Sequence, residues 1–212
     1  MAPVDTEILY RDDSLPVVDK PSGLLAVPGR GEQGLDNQAT RVQAAWPDAL
    51  VVHRLDMSTS GLMLFARGKA MQRRLSQAFA QREVHKQYVA VVDGLLGEDA
   101  GEIDLPLLTD WPNRPRQKID PVDGKPALTR WRVIERRPAT GTTRLALEPV
   151  TGRSHQLRVH LLAIGHPIVG DALYAPPNAL AKAPRLLLHA QSLRLSHPAD
   201  GRVLHFDSPP PF

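Results

Sequence analysis

The 212-residue chain contains no cysteine. Disulfides, thiolate nucleophiles and cysteine-based zinc sites are therefore excluded, and a reducing compartment suits it. No apolar run approaches the roughly 18 residues that a membrane-spanning helix needs. The start, MAPVDTEILYRDD, lacks the cationic stretch and apolar core of a signal peptide. A cytoplasmic protein with no membrane partner is expected. There is no GxSxG elbow and no P-loop, so hydrolase and NTPase chemistry lose their usual support. Eight histidines are present, but no HExxH. His155 and His160 are five apart and would point about 140° away from each other on a helix. No metal site is expected.

Aromatic residues make up only 5% of the chain, whereas prolines number 20. That balance favours many short elements joined by firm turns over a helical bundle. The hydrophobic and charged shares, 42% and 23%, are ordinary for a globular protein. The length allows one large domain or two small lobes. Net charge is only +3, with a sequence pI of about 9.4, so local clustering says more about an anionic partner than the total does. Cations cluster twice. Arg67, Lys69, Arg73, Arg74, Arg82 and Lys86 are opposed by one acid, Glu83. Trp111-Pro-Asn-Arg-Pro-Arg-Gln-Lys118 joins Arg114, Arg116 and Lys118 to an indole and two prolines. The second cluster is too proline-rich for a helix or a central strand, and reads as a stiff exposed loop. Arginines and an aromatic on such a loop suit phosphate contacts and base stacking on RNA.

Along the chain, residues 7–27 alternate apolar runs with turns, as a β-hairpin or meander. Gly29–Gly34 spells GRGEQG, a literal GxGxxG ahead of a possible helix from about Asp36 to Trp46. A dinucleotide loop is the sharper reading and a surface loop the better one: Pro28 precedes the first glycine and no alternating βαβ pattern follows. Helical spacing of Met71, Leu75, Ala78 and Phe79 predicts an amphipathic helix over 69–81. Strands are expected over 87–95, and over 128–136 and 142–150 as a hairpin around Pro138–Gly141. Ser154 is a plausible N-cap for a helix carrying Leu157 and Leu161, whose N-terminus would offer Arg153 and free N–H groups to an anion. Three closing strands are expected in LLLHA, SLRLSHP and GRVLHFDSP. The whole reads as an α+β protein with a mostly antiparallel sheet.

The stretch with most chemical promise is HRLDMSTSG, His53 to Gly61. Val51-Val52 ends one apolar segment and Leu62–Ala66 begins another, so Asp56 is held on a loop between two core segments. Asp56 needs no activation to be nucleophilic, because an aspartate with a pKa near 3.9 is ionised at pH 7. Arg54 or Arg153 could pair with it while gripping phosphate. From composition alone, a structural Asp–Arg turn is the better reading.

The wider sequence reverses that preference. HRLDMSTSG resembles the catalytic motif of the RluA family of pseudouridine synthases. KPSGLLAVPG (20–29), KQYVAVVDG (86–94), TGRSHQLRVHLLAIGHPIVGD (151–171) and LLLHA (186–190) resemble further family motifs, in the family's order. The likeness runs from about Val17 to the end of the sequence, and it absorbs GRGEQG without a cofactor. It implies the pseudouridine synthase catalytic fold: a mostly antiparallel mixed sheet with flanking helices and RNA-binding loops, and an active-site cleft between two lobes. One catalytic domain over 1–212 is expected, with no separate N-terminal RNA-binding domain.

The implied reaction detaches uracil from its ribose within RNA, rotates it and rejoins it through carbon 5, without metal or cofactor. By the same resemblance Asp56 is the nucleophile, and Tyr88 packs on the base and serves proton removal from carbon 5. Arg153 pairs with the catalytic carboxylate. Arg54 fills the space left by the extruded nucleotide, Leu188 lines the uracil pocket, and His53 and Thr59 also bind the substrate. Arg114, Arg116 and Lys118 contact RNA. The DWPNRPRQK loop, and Ala175 where many relatives have glycine, resemble the branch acting on both a 23S rRNA hairpin loop and the anticodon stem-loop of tRNA. A monomer is expected. A catalytically idle RNA-binding protein on the same fold is the alternative.

Overall fold

The computed structural model describes residues 6–29, 31 and 34–212, and the chain divides into two compact units. The first comprises Met1–Lys86 and Ala190–Pro211, and the second Gln87–His189 with Phe212. The chain leaves the first unit inside strand β5 (His85–Asp93) and returns to it inside strand β11 (Leu188–Ser196).

In the first unit the strands run in the order β1 (Glu7–Arg11), β2 (Pro16–Lys20), β4 (Ser60–Arg67) and β11. β12 (Val203–Asp207) pairs with β11, and β3 (Ala49–Val51) with β4. β4 reads SGLMLFAR because both of its faces are covered. Leu62, Leu64 and Ala66 meet Leu75 of helix α2 (Gly68–Ala80), while Met63 and Phe65 meet Ala39 and Val42 of helix α1 (Gln38–Ala45). A strand buried on both sides loses the apolar–polar alternation, hence the unbroken apolar run. Helix α1 starts where Asn37 caps it, its side chain accepting from the Thr40 N–H at 2.9 Å.

The second unit orders its strands β5, β10 (Thr142–Pro149), β9 (Leu128–Arg137) and β6 (Ala100–Asp104). The resolved pairs β10/β5, β10/β9 and β6/β9 are all antiparallel. Ala90, Val92, Leu145 and Leu147 pack against Leu157 and Leu161 of helix α3 (Gln156–Ala163). A small separate hairpin joins β7 (Leu107–Thr109) to β8 (Gln117–Ile119), and a short helix α4 spans Pro177–Leu180.

The mostly antiparallel α+β architecture agrees with the sequence reading, as do the hairpin around Pro138–Gly141 and the amphipathic helix. Four local expectations need correction. Leu24–Val27 forms no strand and contributes only a bridge from Leu25 to Asn37. The tail has two strands, not three, because LHAQSLRLS contains no glycine or proline to interrupt β11. Part of the 111–118 stretch is β8 and part a 3-10 turn, Trp111–Asn113, with Pro112 at its start where a missing N–H does no harm. At helix α3 the N-cap position belongs to His155, in the left-handed conformation at φ 53°, rather than to Ser154. Within GRGEQG the described glycines close a loop, Gly29 N–H donating to the Gly34 carbonyl, while Arg30, Glu32 and Gln33 lie outside the described residues.

Position 61, at the end of the segment after Asp56, cannot carry a side chain. Its φ is +112°, and a Cβ there would lie 2.4 Å from the Ala190 carbonyl oxygen. Strain and overlap act together, so Gly61→Ala is expected to destabilise the protein by about 2–3 kcal/mol, seen as a lower denaturation midpoint at unchanged slope.

Candidate active site

The Asp56 loop is fixed from below by a lysine. Lys20 ends β2 and is wholly buried, and its ammonium donates to the carbonyls of Pro21 (2.8 Å), Leu24 (2.7 Å) and Met57 (3.1 Å). The Met57 carbonyl also accepts from the Gly23 N–H at 2.8 Å, and Ser22 Oγ donates to the Ser58 carbonyl at 2.8 Å. Thr59 N–H closes a turn on the Asp56 carbonyl at 3.1 Å. Leu55, Thr59 and Ser60 are buried, Asp56 is half-buried, and Arg54 and Met57 face outward. The loop's backbone is therefore tied on both sides of the carboxylate while Arg54 stays exposed. Nothing in the local sequence pattern marks Lys20 for this task. Its Met57 partner lies 37 residues away in the chain.

His53 holds the other end. Its Nε2 accepts from the Leu64 N–H at 2.9 Å and its ring stacks on Phe79 of α2, with centroids 4.7 Å apart. Burial, reinforced by the charge of Lys86, lowers its pKa to about 3. The imidazole is thus neutral, with Nε2 as acceptor and the proton on Nδ1. His53 ties the Asp56 loop to β4 and to the helix that displays Lys69, Arg73 and Arg74.

In the second unit, Tyr88 lies on β5 opposite Leu147, and packs against the cluster that contains Leu188. The structure therefore brings Tyr88 and Leu188 into one apolar neighbourhood. Arg153 stands exposed in the turn before α3, its Nε donating to the Pro126 carbonyl at 3.2 Å. Its own N–H is not free for an anion, contrary to the reading of this helix end, because it donates to Gln156 Oε1 at 3.0 Å. Gln156, 3% exposed, organises the whole turn. Its Oε1 also accepts from Thr151 Oγ1 (2.6 Å), and its Nε2 donates to the Leu128 carbonyl (2.9 Å) and to Thr129 Oγ1 (3.0 Å). Thr129 in turn donates to His160 Nδ1 at 3.0 Å, because His160 Nε2 must donate to the Leu105 carbonyl at 2.9 Å. Burial keeps His160 below its ordinary pKa. Every donor in this chain has one direction, which fixes the turn that carries Arg153.

A second brace starts at the fully buried pair Arg158–Asp171, joined at 2.6 and 2.8 Å. Asp171 Oδ1 accepts from the Leu173 and Tyr174 N–H groups, and the Arg158 guanidinium lies over the Tyr174 ring at 5.0 Å. The Tyr174 hydroxyl accepts from the Gln117 N–H at 2.8 Å and meets His155 Nδ1 at 2.7 Å. Of the loop cations, Arg114 lies over the Trp111 ring at 4.4 Å, Arg116 is exposed, and Lys118 pairs with Asp120 at 3.1 Å. Among the described residues no three His, Asp or Glu side chains gather as metal ligands.

Comparison with known proteins gives this arrangement its family. A model described as RNA pseudouridylate synthase matches residues 14–163, which hold the Asp56 loop, Tyr88 and Arg153. The chain belongs to the RNA pseudouridylate synthase family. It is 55% identical to the dual-specificity RNA pseudouridine synthase RluA of Escherichia coli strain K12, over 97% of this chain and 93% of that protein. The RluA protein of Pasteurella multocida is 53% identical over 97% of this chain and 94% of its own length. Among solved structures, human RNA pseudouridylate synthase domain containing 1 superposes with a TM-score of 0.83 at 31% identity, covering 100% of this chain and 86% of that one. Human RNA pseudouridylate synthase domain containing 4 gives 0.77 at 28% identity, covering 97% and 88%. As a member of this family the protein is an isomerase that makes pseudouridine in RNA.

Two outcomes are expected from this geometry. Lys20→Met leaves the Pro21 and Leu24 carbonyls without their donor, and should lower stability in chemical denaturation by about 3 kcal/mol. His53 favours the neutral form in the folded state, so its contribution is complete above pH 6.5 and falls as pH drops toward 3. Stability should decline through that window by at most about 1.4 kcal/mol per pH unit on its account. His53→Phe, which keeps a ring against Phe79, should flatten that part of the pH profile.

Proposed function

We propose that this protein isomerises specific uridines in RNA stem-loops, in both a 23S rRNA hairpin loop and the anticodon stem-loop of tRNA, with Asp56 as the nucleophile. The observation that carries this reading is the 55% identity, over 97% of this chain, with a relative named as a dual-specificity enzyme, together with a carboxylate loop fixed at its backbone. The target nucleotide must leave its stack before its glycosidic bond can be reached, at a cost of a few kcal/mol that is least in a loop. Exposed Arg54 fills the vacated space, with His53 and Thr59 holding the loop beneath it. Asp56 attacks, and the bond from ribose carbon 1′ to N1 breaks. The detached uracil turns against Tyr88 and Leu188, and carbon 5 joins carbon 1′ as the bond formed by Asp56 breaks and its carboxylate is released. The proton on carbon 5 departs with Tyr88 assisting, and N1 gains one, so atoms balance. Arg153 keeps the carboxylate charged in the reacting complex. The exposed cations of α2, with Arg114, Arg116 and Lys118, hold phosphates.

The working enzyme is a cytoplasmic monomer that needs no metal or cofactor, and 1–212 acts as one catalytic domain. In the described residues no helix is long and apolar enough to cross a membrane.

Carbon 5 loses its hydrogen, so RNA carrying tritium there reports the reaction directly. Wild-type protein should release label from a 23S hairpin and from an anticodon stem-loop, and Asp56→Asn should lower the rate by at least about 10³-fold while still binding RNA. Full release by Asp56→Asn would remove the nucleophile assignment. Binding without release by the wild type would favour an idle RNA-binding protein.

A further inference from the structure

The tip of the β7–β8 hairpin carries a large apolar side chain that nothing in its unit covers. Trp111 leaves 64% of its surface exposed, although the Arg114 guanidinium is stacked on its ring with Cζ 4.4 Å from the centroid. A planar cation on an indole forms a flat platform, and flat aromatic and guanidinium surfaces are what unpaired bases stack on. Arg116 and Lys118 are exposed on the same hairpin, so its charge matches the backbone of a nucleic acid strand.

The platform is also ordered in advance. Asp110 N–H donates to the Arg116 carbonyl, Asn113 N–H to the Asp110 carbonyl and Arg116 N–H to the Asn113 carbonyl, each at 3.0 Å. Asn113 Nδ2 adds a bond of 2.9 Å to Asp110 Oδ2. Where the loop meets β8, the Gln117 N–H donates to the Tyr174 hydroxyl, which also meets His155, two residues beyond Arg153. Tyr174 is itself held by Arg158 and Asp171. A tip fixed before binding pays less ordering entropy when RNA arrives.

We propose that Trp111 with Arg114 is a preformed platform for an unpaired base of the substrate loop, distinct from the reacting uridine, and that the Tyr174 hydroxyl positions it through Gln117. This rests on the reading that the substrate is an RNA stem-loop. The reacting uridine belongs to Asp56 and Tyr88, so the base at Trp111 is a neighbour in the same loop. Trp111 thereby selects among loops by whether they present an unstacked base at that place.

Tritium-release kinetics on stem-loop RNA test this, with abasic sites placed singly around the loop. Trp111→Ala should raise KM by about tenfold to a hundredfold, the usual loss for one stacked base. The rate at saturating RNA should stay within about twofold, and Trp111→Phe should recover most of the loss. Tyr174→Phe keeps the ring under Arg158 and loses only the hydroxyl, and should raise KM about threefold to tenfold. One abasic position should cost the wild type as much KM as Trp111→Ala does, and should cost Trp111→Ala nothing further. An unchanged KM for Trp111→Ala, or losses that add at every abasic position, would overturn the platform. Wild-type protein that releases no tritium from any stem-loop overturns the substrate reading instead, which is a separate result.

Discussion

One buried ammonium group underlies the arrangement of the first unit. Lys20 sits where β2 ends, sealed from solvent, and a charge in that place needs partners, three of which are carbonyls. Two of those carbonyls belong to the turn that follows Lys20 and one to the loop that carries Asp56. The requirement to satisfy the cation therefore clamps one segment on the other. Ser22 and Gly23 reinforce the clamp with bonds to Ser58 and Met57. Since β2 and β4 are paired with Lys20 opposite Gly61, the sheet sets the level at which the clamp closes. A nucleophile, the role proposed for Asp56, gains from such preorganisation, because its geometry is settled before substrate arrives.

The second unit solves a similar problem with neutral groups. The Gln156 amide uses both ends to hold the Arg153 turn, and its orientation follows from a chain running through Thr129 to His160 and the Leu105 carbonyl. The outer wall of the turn is braced by an ion pair, Arg158 with Asp171, that also supports Tyr174. The residues that fix the site are therefore more buried than those proposed to react. Arg54 and Arg153 are exposed beyond these supports, where a polyanion can reach them.

Elements with local signatures are legible in the sequence. Helix α2 announces itself through Met71, Leu75, Ala78 and Phe79, and the β9–β10 hairpin through alternation around a Pro–Gly turn. The Asp56 loop stands out because two apolar segments flank it, but the chemistry proposed for it rests on the family motifs. Long-range polar contacts stayed hidden. Lys20 and Met57, or Gln117 and Tyr174, meet across 37 and 57 residues with no periodicity to join them. The expected Ser154 cap failed for a related reason. The side chain of Gln156, inside the helix, reaches back to the turn and takes the role a capping residue would have had.

The route of the chain has a consequence for how the protein is made. The second unit is nearly one continuous segment, whereas the first is assembled from residues before Lys86 and after Ala190. A ribosome delivers these in order. β4 emerges early but must wait for β11, on the far side of the whole second unit, before its open edge is paired. The second unit can form while the first is still incomplete. The nascent chain thus carries the Asp56 loop beside an unfinished sheet until β11 has been made and can take its place next to β4.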